Sequence, residues 1–154
     1  MNDEHILISL EPRHAENILA GRKTVELRRR FPIAEATGAT ALIYSSSPVK
    51  AIVGCVLISG VLELPISEIW KTYGKAACVS KKELYAYFAG KTRGFVLLLR
   101  DVRALESNLT ADHLQLQFGF VPPQSFRYLG NEYNSLLRNE QLQAPHRHKH
   151  RYRA

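Results

Sequence analysis

The chain has 154 residues, 45% of them apolar and 23% charged, values that exclude a disordered or fibrous protein and are typical of one folded domain. Its formal net charge of +7 excludes an acidic protein and favours a polyanionic partner. No apolar run reaches the length of a membrane span, and the acidic start Asn2-Asp3-Glu4 is unlike a basic secretory signal. A cytoplasmic protein without membrane contact is therefore expected.

The positive charge is concentrated in two segments. Residues 22–30 carry five arginines and lysines against the single acid Glu26, and the last ten residues carry four basic side chains and no acid. Residues 144–154 are also poor in core-forming side chains, so a disordered basic tail is predicted to follow one domain over residues 1–143. Two such clusters favour a nucleic acid as partner and leave the oligomeric state open.

Neither the cysteines nor the histidines predict a metal or another cofactor. Cys55 and Cys78 lie far apart without a paired spacing, each within an apolar or helical stretch, and are expected to be buried free thiols. The alternate histidines of residues 146–150 could face a metal together, but the cations between them oppose its charge and no Cys or Asp completes a ligand set.

The first elements predicted are a strand, a helix and a second strand. Residues 5–10 form an apolar run of strand length, and Pro12 and Gly21 bracket a short helix at the positions these residues favour. From Lys23 to Arg29 the pattern alternates, which places Thr24, Glu26 and Arg28 on one charged face of a half-buried strand.

The middle of the chain predicts a curled sheet. Residues 39–44 form a third strand, and residues 49–64 form a long strand in which Gly54 and Gly60 are typical of bulges. Bulges in so long a strand indicate a small barrel. The predicted fold class is therefore α+β, a small mixed β-barrel flanked by short helices.

The remaining elements are two helices, a central strand and a C-terminal helix. Ser67 is predicted to cap the first helix, and the Ser80–Glu83 spacing is a capping box for the second. Residues 94–99 are continuously apolar, which indicates a buried central strand. Thr110 caps a further short helix, and a last helix is predicted over residues 124–138.

The most informative segment for function is residues 21–30. Lys23 follows the helix, and Glu26 and Arg28 then alternate on one strand face, so an amine, a carboxylate and a guanidinium would meet at one end of the sheet. Arg30 adds a further cation. This arrangement predicts a ligand site, and the alternative is a solvated strand face with a surface pair between Glu26 and Arg28.

Two other segments could contact a nucleic acid. Residues 44–50 place the aromatic ring of Tyr44 beside a turn that contains Ser45, Ser46 and Lys50, where hydroxyls and amides could bind phosphate while the ring stacks on a base. The alternative is an ordinary polar turn. Further along, Gln124 and Ser125 follow two prolines and could present amides to an anion. The alternative there is a segment that packs its aromatic residues on the barrel.

The sequence resembles an ASCH domain of the PUA-like superfamily over about residues 6–129. The lysine–glutamate–arginine element after a helix closed by glycine is the most specific part of the resemblance. The stretches that carry it are Ser9–Pro12, Ile18–Thr24, Glu26–Arg28, Ile43–Gly54 and Pro122–Phe126.

The resemblance implies a PUA-like β-barrel with a basic cleft that binds RNA or a nucleotide-like ligand, with a role linked to translation or transcription. It also implies an alternative, since one branch of the family hydrolyses the amide of acetylated cytidine and other members resemble weak ribonucleases. For an enzyme of this kind, Lys23, Thr24 and Glu26 are the expected catalytic residues, although the carboxylate of Glu26 stands where that branch has a threonine.

Overall fold

The computed structural model describes residues 5–31, 36–123 and 126–129. The strands in these ranges are β1 (His5–Leu10), β2 (Val25–Arg28), β3 (Thr40–Ser45), β4 (Ala51–Pro65), β5 (Arg93–Thr110) and β6 (Phe126–Tyr128). The helices are α1 (Pro12–Leu19), α2 (Ile66–Tyr73), α3 (Lys81–Tyr87) and α4 (Ala111–Phe118).

The strands form one six-stranded mixed sheet in the order β2-β5-β4-β3-β1-β6. β1 and β3 pair in parallel and the other neighbours pair antiparallel. The register between β4 and β5 shifts near Gly54 and near Gly60, and shifts of this kind increase the local twist and bend a sheet. The predicted α+β fold, a small mixed barrel flanked by short helices, is confirmed.

Local sequence signals explain where the helices begin. Ser80 and Glu83 form the predicted capping box of α3, and the side chain of Thr110 accepts a hydrogen bond from the His113 amide at the start of α4. Pro12 is the first residue of α1. The predicted cap at Ser67 is wrong, because α2 already begins at Ile66 after Pro65.

Three apolar clusters fill the space between the sheet and the helices. One of them holds β2 in place, since Val25 and Leu27 pack with Leu84 and Phe88 of the α3 region. All four residues of β2 are buried. The charged side chains of this strand are thus covered as well as the apolar ones, which the alternating pattern did not predict.

Two predicted elements differ from the structure. β5 continues to Thr110, well past the apolar run that predicted it, because its second half pairs with β4 through a polar sequence that carries no apolar period. The helix predicted over residues 124–138 is wrong at its start, where Phe126–Tyr128 pairs with β1 as strand β6. The pairing with β1 outweighs local helix propensity there, and the rest of that prediction lies outside the described residues.

Both cysteines are free thiols, as predicted, but only Cys55 is buried, and the predicted burial of Cys78 is wrong because its side chain is partly exposed. Cys55 lies on β4, where burial raises the pKa of its thiol to about 11. Cys78 follows α2, and its thiol contacts the carbonyl oxygen of Arg22 at 3.4 Å.

Replacing Gly54 by alanine is expected to lower the free energy of unfolding by about 1–3 kcal/mol. An added Cβ would lie 2.5 Å from the carbonyl oxygen of Arg103 and 2.6 Å from a methyl group of Leu19. Urea unfolding measures the change. Gly60→Ala is the matched control on the same strand, because its Cβ would meet only the flexible end of Leu98 at 3.3 Å. Equal losses in the two variants would contradict this explanation of Gly54.

Candidate nucleic-acid interface

A pocket of about 530 Å³, here called the first hollow, lies between β1, α1, β2 and α3. Its lining combines apolar residues with charged ones. Its lining residues are Ser9, Leu10, Glu11, Arg13, His14, Lys23, Glu26, Leu27, Arg28, Val79, Glu83, Leu84, Ala86 and Tyr87.

Lys23, Glu26 and Arg28 meet in the first hollow as a buried charged cluster. The Lys23 Nζ lies 3.4 Å from one carboxylate oxygen of Glu26, and the Arg28 Nε lies 3.3 Å from the other. The three residues are 3%, 7% and 8% exposed. The alternative of a solvated strand face is therefore wrong, and the carboxylate compensates two cations that water reaches poorly.

Hydrogen bonds to the backbone fix this cluster in place. The Lys23 ammonium donates to the carbonyl oxygen of Ala77 at 2.5 Å, and the Arg28 guanidinium donates to the carbonyl oxygen of Ser9 at 3.2 Å. The cluster thus connects β2 to the segment after α2 on one side and to β1 on the other. Hydrogen bonds of this kind hold both side chains in a defined orientation.

The rim of the first hollow carries residues that the sequence analysis missed. Arg13 of α1 and Glu83 of α3 form an ion pair of 2.9 Å across it. Tyr87, at the end of α3, is 41% exposed and lines the same hollow. Neither helix carries a motif that predicts a ligand contact, and only the packing of α1 beside α3 brings them together.

His14 is the other missed residue of the first hollow. It is half-buried, and its Nδ1 is buried and has no hydrogen-bond partner among the described residues. Burial and the nearby ammonium of Lys23 lower the pKa of His14. The imidazole is therefore neutral at pH 7 and adds no cation to the hollow.

The lowered pKa of His14 predicts that the protein loses stability as the pH falls from 7.5 to 5. The unfolded state takes up the histidine proton first, because the folded state resists it, so the free energy of unfolding decreases through this window. Denaturant unfolding of the wild type and of His14→Gln at both pH values measures how much of this loss of stability is due to His14. We expect a smaller loss in the variant, and equal losses would contradict the assignment.

A second pocket, the second hollow, has a volume of about 560 Å³ and adjoins the first. Both hollows are lined by Ser9, Leu10 and Glu11, so this segment at the end of β1 is their common wall. The other lining residues of the second hollow are Tyr44, Ser46, Ser47, Lys50, Pro122 and Pro123. Three residues of the predicted turn site, Tyr44, Ser46 and Lys50, are therefore brought together here.

Two residues of the turn segment differ from their predicted roles. Tyr44 is 3% exposed and its ring lies 5.9 Å from the ring of Phe120, which leaves too little of the ring open for a base to stack on. Burial raises the pKa of its hydroxyl. Ser45 is buried and lines neither hollow, because the strand alternation turns it away from Tyr44 and Ser46.

The remaining predicted site residues lie elsewhere. Thr24 is exposed and lines a third, smaller pocket with Arg100 and Asp101. Its predicted place on the same face as Glu26 is wrong, because β2 begins only at Val25 and the alternation does not extend to Thr24. Arg30 is exposed and lines neither hollow. Gln124 and Ser125 lie outside the described residues.

The described ranges hold neither a cluster of metal-ligating side chains nor a helix that could span a membrane. Across residues 5–31, 36–123 and 126–129, no three His, Cys, Asp or Glu side chains are grouped as ligands for a metal ion. In the same ranges, no helix combines the length and apolar character that crossing a membrane requires.

Comparisons with known proteins agree on the family and the fold. A family model described as a domain of unknown function, DUF365, matches residues 7–116. An ASCH domain-containing ribonuclease of Zymomonas mobilis is 35% identical over 127 residues, which cover 82% of this chain and 84% of that protein. The chain therefore belongs to the DUF365 family and to the ASCH domain proteins of the PUA-like superfamily.

Two further similarities bear on the fold. The crystal structure of ASCH from Zymomonas mobilis superposes with a TM-score of 0.85 at 32% identity, covering 93% of this chain and 99% of that one. The large ribosomal subunit protein uL22 of Ureaplasma parvum is 30% identical over 127 residues, which cover 82% of this chain but 39% of that protein. The ASCH fold thus extends over most of the chain.

Proposed function

We propose that the protein binds single-stranded RNA in the cytoplasm, in one cleft formed by the first and second hollows, and that this binding serves translation or transcription. The observation that carries the proposal is the common wall of Ser9, Leu10 and Glu11. Because the two hollows meet there, one strand can occupy both at once.

The second hollow is suited to the backbone of the strand. Lys50 is exposed, and Ser46 and Ser47, which carry hydroxyl groups, line the same pocket. Phosphate oxygens accept hydrogen bonds from such groups, and contacts of this kind fix the position of a nucleic acid without selecting its sequence. Lys50 therefore has the phosphate-binding role in the proposal.

The first hollow is suited to an uncharged part of a nucleotide. Its charged lining residues are three cations and three carboxylates, so their formal charges cancel. Lys23 and Arg28 are already compensated by Glu26, which weakens their attraction for phosphate. A base, which is planar and carries both donors and acceptors, matches the apolar lining residues and the buried polar groups together.

The second candidate function is cleavage of the bound RNA. The Zymomonas mobilis relative, at 35% identity, is a ribonuclease, and the second hollow holds a lysine beside hydroxyl groups. In cleavage, the ribose 2′-hydroxyl would attack the adjacent phosphorus and the 5′ oxygen would leave with a proton. The ammonium of Lys50 and a neighbouring hydroxyl would stabilise the negative charge that develops on the phosphate oxygens.

Hydrolysis of an acetylated cytidine-like amide has less support. Thr24 lies outside the first hollow. The ammonium of Lys23 is engaged by Glu26 and by the Ala77 carbonyl, which restrains it from acting as a base. A test for release of acetate from acetylated cytidine, with Glu26→Gln as the control, decides this alternative.

Binding of a fluorescent single-stranded oligonucleotide tests the proposal. We expect Lys50→Ala to weaken binding about tenfold, because a charged phosphate contact is lost, and Lys71→Ala, an exposed lysine on α2 outside all three pockets, to leave it unchanged. Gel analysis of the same RNA after incubation detects cleavage. Equal affinities of the two variants would remove the second hollow from the site, and product made by wild type but not by Lys50→Ala would support the ribonuclease.

A further inference from the structure

The buried cluster presents its hydrogen-bonding groups to the first hollow in a defined order. Lys23 and Arg28 contact different oxygens of Glu26, so the carboxylate lies between the ammonium and the guanidinium. Lysine and arginine only donate hydrogen bonds, and a carboxylate only accepts them. Taken from Lys23 through Glu26 to Arg28, the three residues that line the hollow are therefore a donor, an acceptor and a donor, here called the row.

By their chemistry, the three residues carry more hydrogen-bonding positions than the contacts within the cluster use. The Lys23 ammonium has three N–H groups, and its contacts are to Ala77 and Glu26. A guanidinium carries five N–H groups in a planar fork, and the two carboxylate oxygens offer about four acceptor positions. All three residues line the hollow.

The geometry points to uracil as the base that the first hollow selects; this inference rests on the proposed RNA binding and names its specificity. The complement of a donor–acceptor–donor row is an acceptor–donor–acceptor edge. Uracil presents that edge, with a carbonyl oxygen on each side of its ring N–H. The N–H would donate to Glu26, and the two carbonyl oxygens would accept from Lys23 and Arg28.

The other bases of RNA fit the row less well. Cytosine places two acceptors beside one donor, and guanine places one acceptor beside two donors. Adenine offers one acceptor and one amino donor on the corresponding edge. Each leaves at least one member of the row unmatched, and an unmatched buried polar group lowers affinity more than a missing contact at an exposed site.

The rim of the hollow supplies a surface on which the base can stack. Tyr87 is 41% exposed and lines the hollow, whereas Tyr85 on the same helix is also 41% exposed and lies outside its lining. The apolar residues Leu10, Val79 and Leu84 line the hollow as well. Stacking on a tyrosine tolerates any base, so Tyr87 contributes affinity while the row contributes the choice of base.

Four octanucleotides of equal charge test the inference: oligomers of uridine, of 3-methyluridine, of cytidine and of adenosine. 3-Methyluridine keeps both carbonyl oxygens but lacks the ring N–H that Glu26 would accept. We expect the uridine oligomer to bind wild type about tenfold more tightly than the other three. Equal binding of all four would overturn the uracil inference and leave RNA binding in place, whereas binding of none would overturn the proposed function.

Variants of residues that line the first hollow test whether the uridine preference arises there. Glu26→Leu, which removes the acceptor, is expected to abolish the uridine preference, with unfolding measured in parallel, and the methylated oligomer tests the row on wild type whatever the stability of this variant. Tyr87→Ala is expected to weaken all four oligomers about tenfold, and Tyr85→Ala to change none of them. Equal effects of the two tyrosine variants, or a preference that survives in a folded Glu26→Leu protein, would overturn the inference.

Discussion

Replacing Glu26 by alanine is expected to lower the free energy of unfolding by about 3–5 kcal/mol. The carboxylate is the common partner of Lys23 and Arg28, and all three side chains are at most one-tenth exposed. Its removal takes the shared carboxylate away from two buried cations. That penalty exceeds the loss of the ion pairs themselves, because water cannot replace the missing charge at this depth.

Denaturant unfolding at pH 7 measures this effect, with Glu16→Ala on the exposed face of α1 as the control. A triple replacement, Lys23→Met with Glu26→Leu and Arg28→Met, is expected to recover most of the stability, because apolar residues of similar volume often replace buried ion pairs without loss. A Glu26→Ala protein as stable as the Glu16→Ala control would contradict the buried cluster.

Removing residues 144–154 is expected to reduce the salt dependence of RNA binding strongly. These residues carry four basic side chains and no acid. For single-stranded nucleic acid, each phosphate contact contributes about 0.7 to the slope of log affinity against log salt. The loss of up to four contacts therefore lowers the slope by about 3, and between 50 and 200 mM salt the full chain loses about 50-fold more affinity than the shortened one.

Titrations of the full chain and of a chain ending at Gln143, over the same salt series, measure this difference. The shortened chain is expected to keep the cleft and, with it, the affinity that persists at high salt and depends on Lys50. If the shortened chain binds no RNA at any salt concentration, the basic tail and not the cleft is the principal binding element. Identical slopes for the two chains would exclude the tail from binding.

The sequence predicted the fold well where local signals are strong. The bracket of Pro12 and Gly21 around α1, the capping box of α3 and the glycines of β4 each have a local physical cause. β6 was missed because its three residues are a strand only through their pairing with β1. Pairing between segments far apart in sequence leaves no local signal.

The same difference between local signals and long-range contacts explains why the sequence predicted only part of the candidate site. Lys23, Glu26 and Arg28 lie close together in the chain, so their meeting followed from the turn and the strand alternation. Their depth of burial did not, because it depends on the packing of α3 and of the segment after α2. Tyr87 belongs to an element some 60 residues away, and a tyrosine at the end of a short helix carries no motif.

The charged residues of the two hollows have different roles in the proposal. The lysine–glutamate–arginine element suggested a site for phosphate, yet its charges compensate one another inside the first hollow. The exposed Lys50, which lies near the hydroxyl-bearing Ser46 and Ser47, is better suited to bind phosphate than Lys23 or Arg28. The clustered charge in the sequence therefore indicated where the cleft lies, but not which of its residues is suited to bind phosphate.

The central claim is that one RNA strand occupies both hollows across the wall of Ser9, Leu10 and Glu11. A crystal structure of the chain with an eight-nucleotide uridine oligomer tests it most directly. We expect one base in the first hollow, stacked on Tyr87 with its edge toward Glu26, and a phosphate within hydrogen-bond distance of Lys50. An oligomer bound only outside the two hollows, with both of them filled by solvent, would contradict the claim.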